Sequence, residues 1–421
     1  MVKHGSLKFL TWVLLLAATV PAFSQMQILG FSMPEGKRKV TLPFELCQNL
    51  ITVPVIINGK LPLRFIIDTG VRTAILSERT FSDMMGLRYT RQYTITGPGG
   101  EKLIGALVTN NVTLTLPAGN HTGITGFGHS LLVLEQDYLQ LSRHLGKEVH
   151  GILGYELFSR FVVRIDYDRQ EITLISPDRF RKPRRYQEIP MTVEDTKPYI
   201  QIPCTFASGR TSELKLMVDT GASHCLLLLP ENDSSIEMPS RTLRSTIGRG
   251  LGGDINGRIG RLKNLQVGDW PLAGPVASFP DPSQYSDTLR STDVFRHGTI
   301  GGEILRRFHV IFDYSAGRIY LRRNSAYRSP VDFSLSGISL QAKGIRLNSF
   351  EVSQVRRGSA GDEAGITAGD VILSINGEPV SSMTLEEINT LFNSQPKRRF
   401  ELDVLHEGVR QKRKMILRDD L

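Results

Sequence analysis

Phe65-Ile66-Ile67-Asp68-Thr69-Gly70 and, 151 residues further on, Leu216-Met217-Val218-Asp219-Thr220-Gly221 decide how this sequence is read. Each is an apolar run closed by Asp-Thr-Gly. With average residue usage, one such triplet arises by chance in roughly one chain in ten of this length. Two, each behind an apolar run, point to a duplicated unit. A second echo extends the match: residues 150–174 open with His150-Gly151-Ile152-Leu153-Gly154-Tyr155-Glu156 and pass through Phe161 to Asp166-Tyr167. Residues 297–321 open with His297-Gly298-Thr299-Ile300-Gly301-Gly302-Glu303 and pass through Phe308 to Asp313-Tyr314, with 11 of the 25 aligned positions identical. Triplet and echo stand 82 residues apart in the first half (Asp68 to His150) and 78 in the second (Asp219 to His297), so two similar lobes follow one another in the same order. Between them lies a weaker pair, Gly97-Pro98-Gly99-Gly100-Glu101 and Gly250-Leu251-Gly252-Gly253-Asp254. Such stretches between strand-like runs predict hairpin tips, because glycine alone accepts positive φ without strain.

The local pattern is mainly β. Residues 51–57, 63–67, 162–166, 171–175, 198–206, 214–218, 308–312 and 318–322 are rich in Val, Ile, Leu and aromatic side chains and are bounded by turn residues. Helices are few: residues 77–86 carry a cap signal at each end, and Leu134, Tyr138, Leu141 and Leu145 recur at the spacing of one buried helical stripe.

A carboxylate on a tight turn after a buried strand is fixed in place by its sheet. Two such turns related by a pseudo-twofold axis bring Asp68 and Asp219 within reach of one water. Like charges so close do not both ionise easily, so the pair keeps one shared proton over a range of pH. One carboxylate then takes a proton from the water while the other donates to a peptide carbonyl. Thr69 and Thr220 offer hydroxyls for interlocking hydrogen bonds beneath the pair, and Gly70 and Gly221 let backbone amides approach it.

The two triplets, each followed by an apolar-apolar-Gly element (Ile152-Leu153-Gly154 and Thr299-Ile300-Gly301), resemble the pepsin and retropepsin clan of aspartyl proteases. The resemblance implies a mainly β, two-lobed acid-protease fold of β-barrels with Asp68 and Asp219 at the floor of a cleft. It makes Gly97, Gly99, Gly100, Gly250, Gly252 and Gly253 candidates for flaps above them. It implies an endopeptidase acting on peptide or protein substrates, active as a monomer because both halves lie in one chain, with no cofactor and no metal. Three departures stand out. Val71 and Ala222 follow the triplets where pepsins commonly carry Ser or Thr; without those hydroxyls the pair holds its proton more tightly, which predicts a pH optimum less acidic than that of pepsin. Thr299 replaces an apolar residue. No tyrosine stands in the first hairpin tip.

After residue 330 the pattern changes. Gly358-Ser359-Ala360 leads through Ala368-Gly369-Asp370 to an alternating strand, Val371 to Ile375, and an Asn376-Gly377 turn, and Thr384 with Glu387 forms a capping box. This run resembles the PDZ family, an α+β domain. The resemblance implies a peptide groove between Ser336-Gly337-Ile338-Ser339-Leu340 and a helix presenting Leu385 and Ile388, where peptide C-termini add as a strand. The resulting division is 1–24 signal peptide, 25–185 and 186–327 protease lobes, and 331–421 PDZ domain.

The signal peptide is read from Lys3, His4 and Lys8, an apolar run over residues 9–20 and Ala22-Phe23-Ser24. It predicts export to a periplasmic or secreted setting. The run is shorter than the roughly 20 residues a spanning helix needs, and no later stretch is apolar for longer, so no integral membrane segment is expected after cleavage. The formal charge of +9 falls to +7 once Lys3 and Lys8 leave. The basic run Arg179, Arg181, Lys182, Arg184 and Arg185 beside Pro183 reads as a solvated linker, and no nucleic-acid-binding pattern accompanies it. Cys47, Cys204 and Cys225 allow one disulfide and require none. No Gly-x-Ser-Gly nucleophile loop and no His-Glu-x-x-His zinc motif is present; the symmetric His150 and His297 read as structural. The rival from another class is an exported peptide-binding adaptor whose inert lobes carry the PDZ groove.

Overall fold

A computed structural model describes residues 29–119, 121–282, 294–331 and 333–421. The expected signal peptide, 1–24, lies outside the described residues, as does much of the Pro- and Ser-containing stretch before His297. No helix among the described residues is long and apolar enough to cross a membrane.

Each lobe is built round the strand that delivers its triplet. Leu61–Ile67 pairs antiparallel with Leu50–Ile57 on one side and parallel with Gly151–Leu153 on the other, and Thr211–Val218 lies in the same way between Lys197–Thr205 and Gly298–Ile300. Strands covered on both faces carry near-continuous apolar sequence. Phe65, Ile67, Leu216 and Val218 are accordingly fully buried. At about 1.5–3 kcal/mol for each such side chain, the positions just before each aspartate are among the least free to move.

A six-stranded sheet joins the lobes. Its centre is the antiparallel pairing of Val162–Asp166 with Phe308–Asp313, in which Arg164 faces Ile311. Glu171–Ile175 and Lys39–Pro43 extend it through the first lobe, Arg318–Arg323 and Gln187–Pro190 through the second. These are the strands of the second sequence echo, so the duplicated segments meet each other at the lobe boundary. One hydrophobic core runs through both lobes.

The C-terminal domain has its own core. Its sheet runs, in order, Ile338–Lys343, Ser349–Val355, Val371–Ile375, Arg399–His406 and Val409–Ile416. The capping box is formed: Thr384 Oγ1 accepts from Glu387 N and Glu387 Oε2 accepts from Thr384 N, opening helix Leu385–Phe392. Asn376 and Gly377 both have positive φ, 52° and 84°, as a two-residue primed turn requires. Val276 of the second lobe belongs to this domain's core, so domain and lobe share packing.

Two helix expectations need correction. The stripe beginning at Leu134 is not one helix: Leu134 ends strand His121–Leu134, and only Leu141–Leu145 is helical. The other helix spans Arg79–Met85, with Glu78 rather than Ser77 as N-cap and no side-chain cap bond, while Gly86 closes it in the left-handed region. The three cysteines are buried and unbridged.

Candidate active site

Each aspartate leaves its strand with its amide bonded to the neighbouring apolar-apolar-Gly element: Asp68 N to Leu153 O and Asp219 N to Ile300 O, both 2.9 Å. Gly154 and Gly301 sit where a side chain cannot fit, since a Cβ would lie 2.0 Å from Asp68 O and 2.2 Å from His224 O. Glycine there lets the chain pass directly behind the triplet turn.

The triplets then interlock across the lobe boundary. Thr69 Oγ1 donates to Val218 O at 2.6 Å and accepts from Thr220 N at 3.0 Å; Thr220 Oγ1 donates to Ile67 O at 2.8 Å and accepts from Thr69 N at 3.1 Å. Both threonines are buried. Above them, Gly70 N donates to Asp68 Oδ1 at 2.6 Å and Gly221 N to Asp219 Oδ1 at 2.9 Å. Each glycine also lies against the opposite aspartate: a Cβ on Gly221 would stand 2.1 Å from Asp68 Cγ, and one on Gly70 3.4 Å from Asp219 Oδ2. The two carboxyls therefore sit side by side: the same Cβ on Gly70 would lie 3.0 Å from Asp68 Oδ1.

This crowding sets the charge state. Burial first, and then the facing Asp219 carboxylate, push the Asp68 carboxyl well above the usual carboxylate range, against the lowering pull of the Gly70 amide and Lys197. Both aspartates nonetheless keep partial solvent access, which leaves room for water to reach them. The site sets a carboxyl of raised proton affinity beside a second carboxyl, a pairing that general acid–base chemistry can use.

The glycine-rich stretches are hairpin tips, joining Tyr89–Gly97 to Gly100–Ala118 and Thr242–Gly250 to Gly253–Arg261. The tips touch: Gly252 N donates to Pro98 O at 2.9 Å, and a Cβ on Gly99 would stand 2.1 Å from Gly253 O. Leu251 packs on Gly97.

Residues 53–157 and 202–304 match the family model described as aspartyl protease, and 351–405 the one described as PDZ domain. The chain carries a retropepsin-like aspartyl protease domain twice, followed by a PDZ domain. Among curated proteins, none matches it. In the first aspartyl protease lobe His150 Nδ1 accepts from Arg64 N at 3.1 Å, and in the second His297 Nδ1 accepts from Lys215 N at 2.9 Å, so the symmetric histidines brace backbone. In the PDZ domain Ser336, Ile338, Leu340, Leu385 and Ile388 are buried, Ser339 is exposed, and Gly337 has φ 70°.

The structure adds residues near the aspartates that the sequence did not single out. Burial, then Arg296, push the Lys197 ammonium down while Asp195, Asp219 and Asp68 oppose this. Burial, then Asp68 and Asp219, push the Tyr314 phenol well up, and its hydroxyl is buried without a partner. Only the Tyr314 position carried a signal, as the repeat of Tyr167. Away from the cleft, His309 lies 3.2 Å from Asp166 and 3.3 Å from Asp168, the one cluster among the described residues with the ligand types for a cation.

Proposed function

We propose that the chain is an exported aspartic endopeptidase that hydrolyses peptide bonds with Asp68 and Asp219. The observation that carries this reading is the adjacent carboxyl pair, one from each lobe, held by the interlocked threonines, with burial and the facing carboxylate raising the proton affinity of Asp68. The unprotonated oxygen takes a proton from a water held between the two aspartates. The water oxygen bonds to the scissile carbonyl carbon as the protonated partner donates to the carbonyl oxygen. Collapse of the resulting diol passes a proton to the leaving amine and regenerates the pair. No covalent acyl-enzyme is needed. The four threonine bonds hold the carboxyls at fixed separation while their charge alternates, and the touching hairpin tips form a roof that has to part for substrate. One chain supplies both aspartates, so the monomer suffices for catalysis. The PDZ domain binds substrate or partner peptides by strand addition. Export rests on the charged and apolar N-terminal pattern, and the mature N-terminus found by mass spectrometry after secretion tests it.

The cleavage test uses residues 25–421 and a peptide mixture, with new internal termini read by mass spectrometry across pH. Cleavage peaking above about pH 3 supports the reading and the effect assigned to Val71 and Ala222. Peptides retained intact at every pH favour the adaptor.

A further inference from the structure

The PDZ groove has a neighbour inside the chain. One of its walls, edge strand Ile338–Lys343, pairs, among the described residues, only with Ser349–Val355. Helix Leu141–Leu145 of the first lobe packs beside this strand. Gly146, which ends the helix, lies on the other wall: a Cβ there would come within 2.5 Å of Leu385 Cβ. Arg143 faces Ala342, Lys343, Gly344, Ile345 and Leu347 across a pocket of about 500 Å³. At the far end of the groove, Gly337 N donates to Ser334 Oγ at 3.0 Å and Ile338 N to Ser336 Oγ at 3.1 Å. The loop amides suited to a terminal carboxylate are thus held by the loop's own hydroxyls.

The same segment of the first lobe reaches the hairpin tips. Tyr138 and Leu139, just before the helix, pack on the buried Ile104, Ala106 and Leu134, the same small cluster that Ile95 and, at the tip of the second hairpin, Leu251 pack on. Leu139, Leu141 and Leu145 pack on Cys47, Leu50 and Ile152, and Ile152 pairs with Ile66, two positions before Asp68. Gln48 Nε2 donates to His144 O at 2.8 Å and Cys47 Sγ to Leu145 O at 3.2 Å. One short stretch therefore touches the PDZ walls and the strands behind an aspartate, and shares a packing cluster with Leu251 at the hairpin tip.

We infer that residues 138–146 form a strap that closes the PDZ groove at its Ala342 and Leu385 end and steadies the hairpin tips, so that an extended peptide adding to Ile338–Lys343 displaces the strap and loosens the tips. The bound peptide competes with Gly146 for Leu385 and with the helix for the strand edge. Coupling of this kind is reciprocal: whatever parts the tips also strengthens peptide binding at the groove. The consequence for cleavage rests on the proteolytic reading above; the contact itself does not.

Gly146→Asn in the full chain tests this. Gly146 has φ 66°, a conformation asparagine tolerates, so the variant wedges a side chain against Leu385 without demanding a new backbone. Gly86→Asn is the control: Gly86 has φ 69° and nothing within 4 Å of its Cβ position. Both are made with Asp68→Asn, so that peptides are not consumed and a failure of catalysis does not enter the readout. With Gly146→Asn, amide exchange in residues 141–146 and 249–254 should quicken about tenfold, and a mixture of free-carboxyl peptides of about eight residues should bind about tenfold tighter. The control should change neither. Adding the same mixture to the chain with Asp68→Asn alone should quicken exchange at 249–254, a measurement that stands even if Gly146→Asn misfolds. Exchange at 249–254 that is indifferent both to the wedge and to the peptides overturns the inference.

Discussion

Thr69→Val removes the hydroxyl and keeps the branched shape, so its cost can be worked from the bonds it breaks. Val218 O loses the donor 2.6 Å away and Thr220 N loses the acceptor 3.0 Å away. Thr69 and Thr220 are each 1% exposed, so water does not replace either partner. An unpaired buried polar group costs about 1–3 kcal/mol, which puts the loss at about 2–6 kcal/mol, a large part of a total of about 5–15 kcal/mol. Thr220→Val strips Ile67 O and Thr69 N in the same way, so symmetry requires a similar loss. The assay is urea unfolding followed by Trp270, which packs on Phe308 in the second lobe. After removal of residues 1–24 no other tryptophan is present. With a slope of about 2 kcal/mol/M, the midpoint should fall by about 1–3 M. A loss under about 0.5 kcal/mol in both variants refutes the claim that the threonines join the lobes.

Asp68→Asn should raise stability at neutral pH while removing activity. The folded-state proton affinity of Asp68 is raised, so as pH rises the unfolded state releases its proton first. Stability is full below the unfolded value and is lost as pH climbs through the folded one. The gain from Asn, read as melting temperature, should therefore vanish in acid, and a gain independent of pH would contradict the assignment. Gly221→Ala should cost more activity than Gly70→Ala. Its Cβ would lie 2.1 Å from Asp68 Cγ, whereas at Gly70 the nearest atom, Asp68 Oδ1, is at 3.0 Å. Equal kcat values would show that the pair is free to shift.

The duplication was legible because repeated sequence needs no knowledge of contacts, and the strands because alternation and buried apolar runs are local signals. The apolar runs 308–312 and 162–166 coincide, to within one residue, with strands Phe308–Asp313 and Val162–Asp166. The failed stripe from Leu134 shows the limit of such signals: four leucine and tyrosine positions at helical spacing straddle a strand end, a bend and a five-residue helix. Periodicity cannot tell one buried face from two. Lys197 and Tyr314 come near the aspartates only in the folded chain; the repeat marks the Tyr314 position without saying what it faces, and nothing in the sequence marks Lys197. The hairpin tips were legible as turns from their glycines, but the bond from Gly252 to Pro98 joins the two lobes and has no counterpart in either stretch alone. The strap is similar: Tyr138, Leu141 and Leu145 belong to the stripe that reads as buried packing, and only the folded chain shows that this packing continues onto the PDZ domain.

The most direct measurement is kcat/KM on one cleaved peptide for the full chain beside Asp68→Asn and Asp219→Asn. If the pair is the chemical centre, each change alone should lower it by at least about a hundredfold at every pH, with folding intact by circular dichroism. Hydrolysis that persists at the parent rate in either variant would contradict the account.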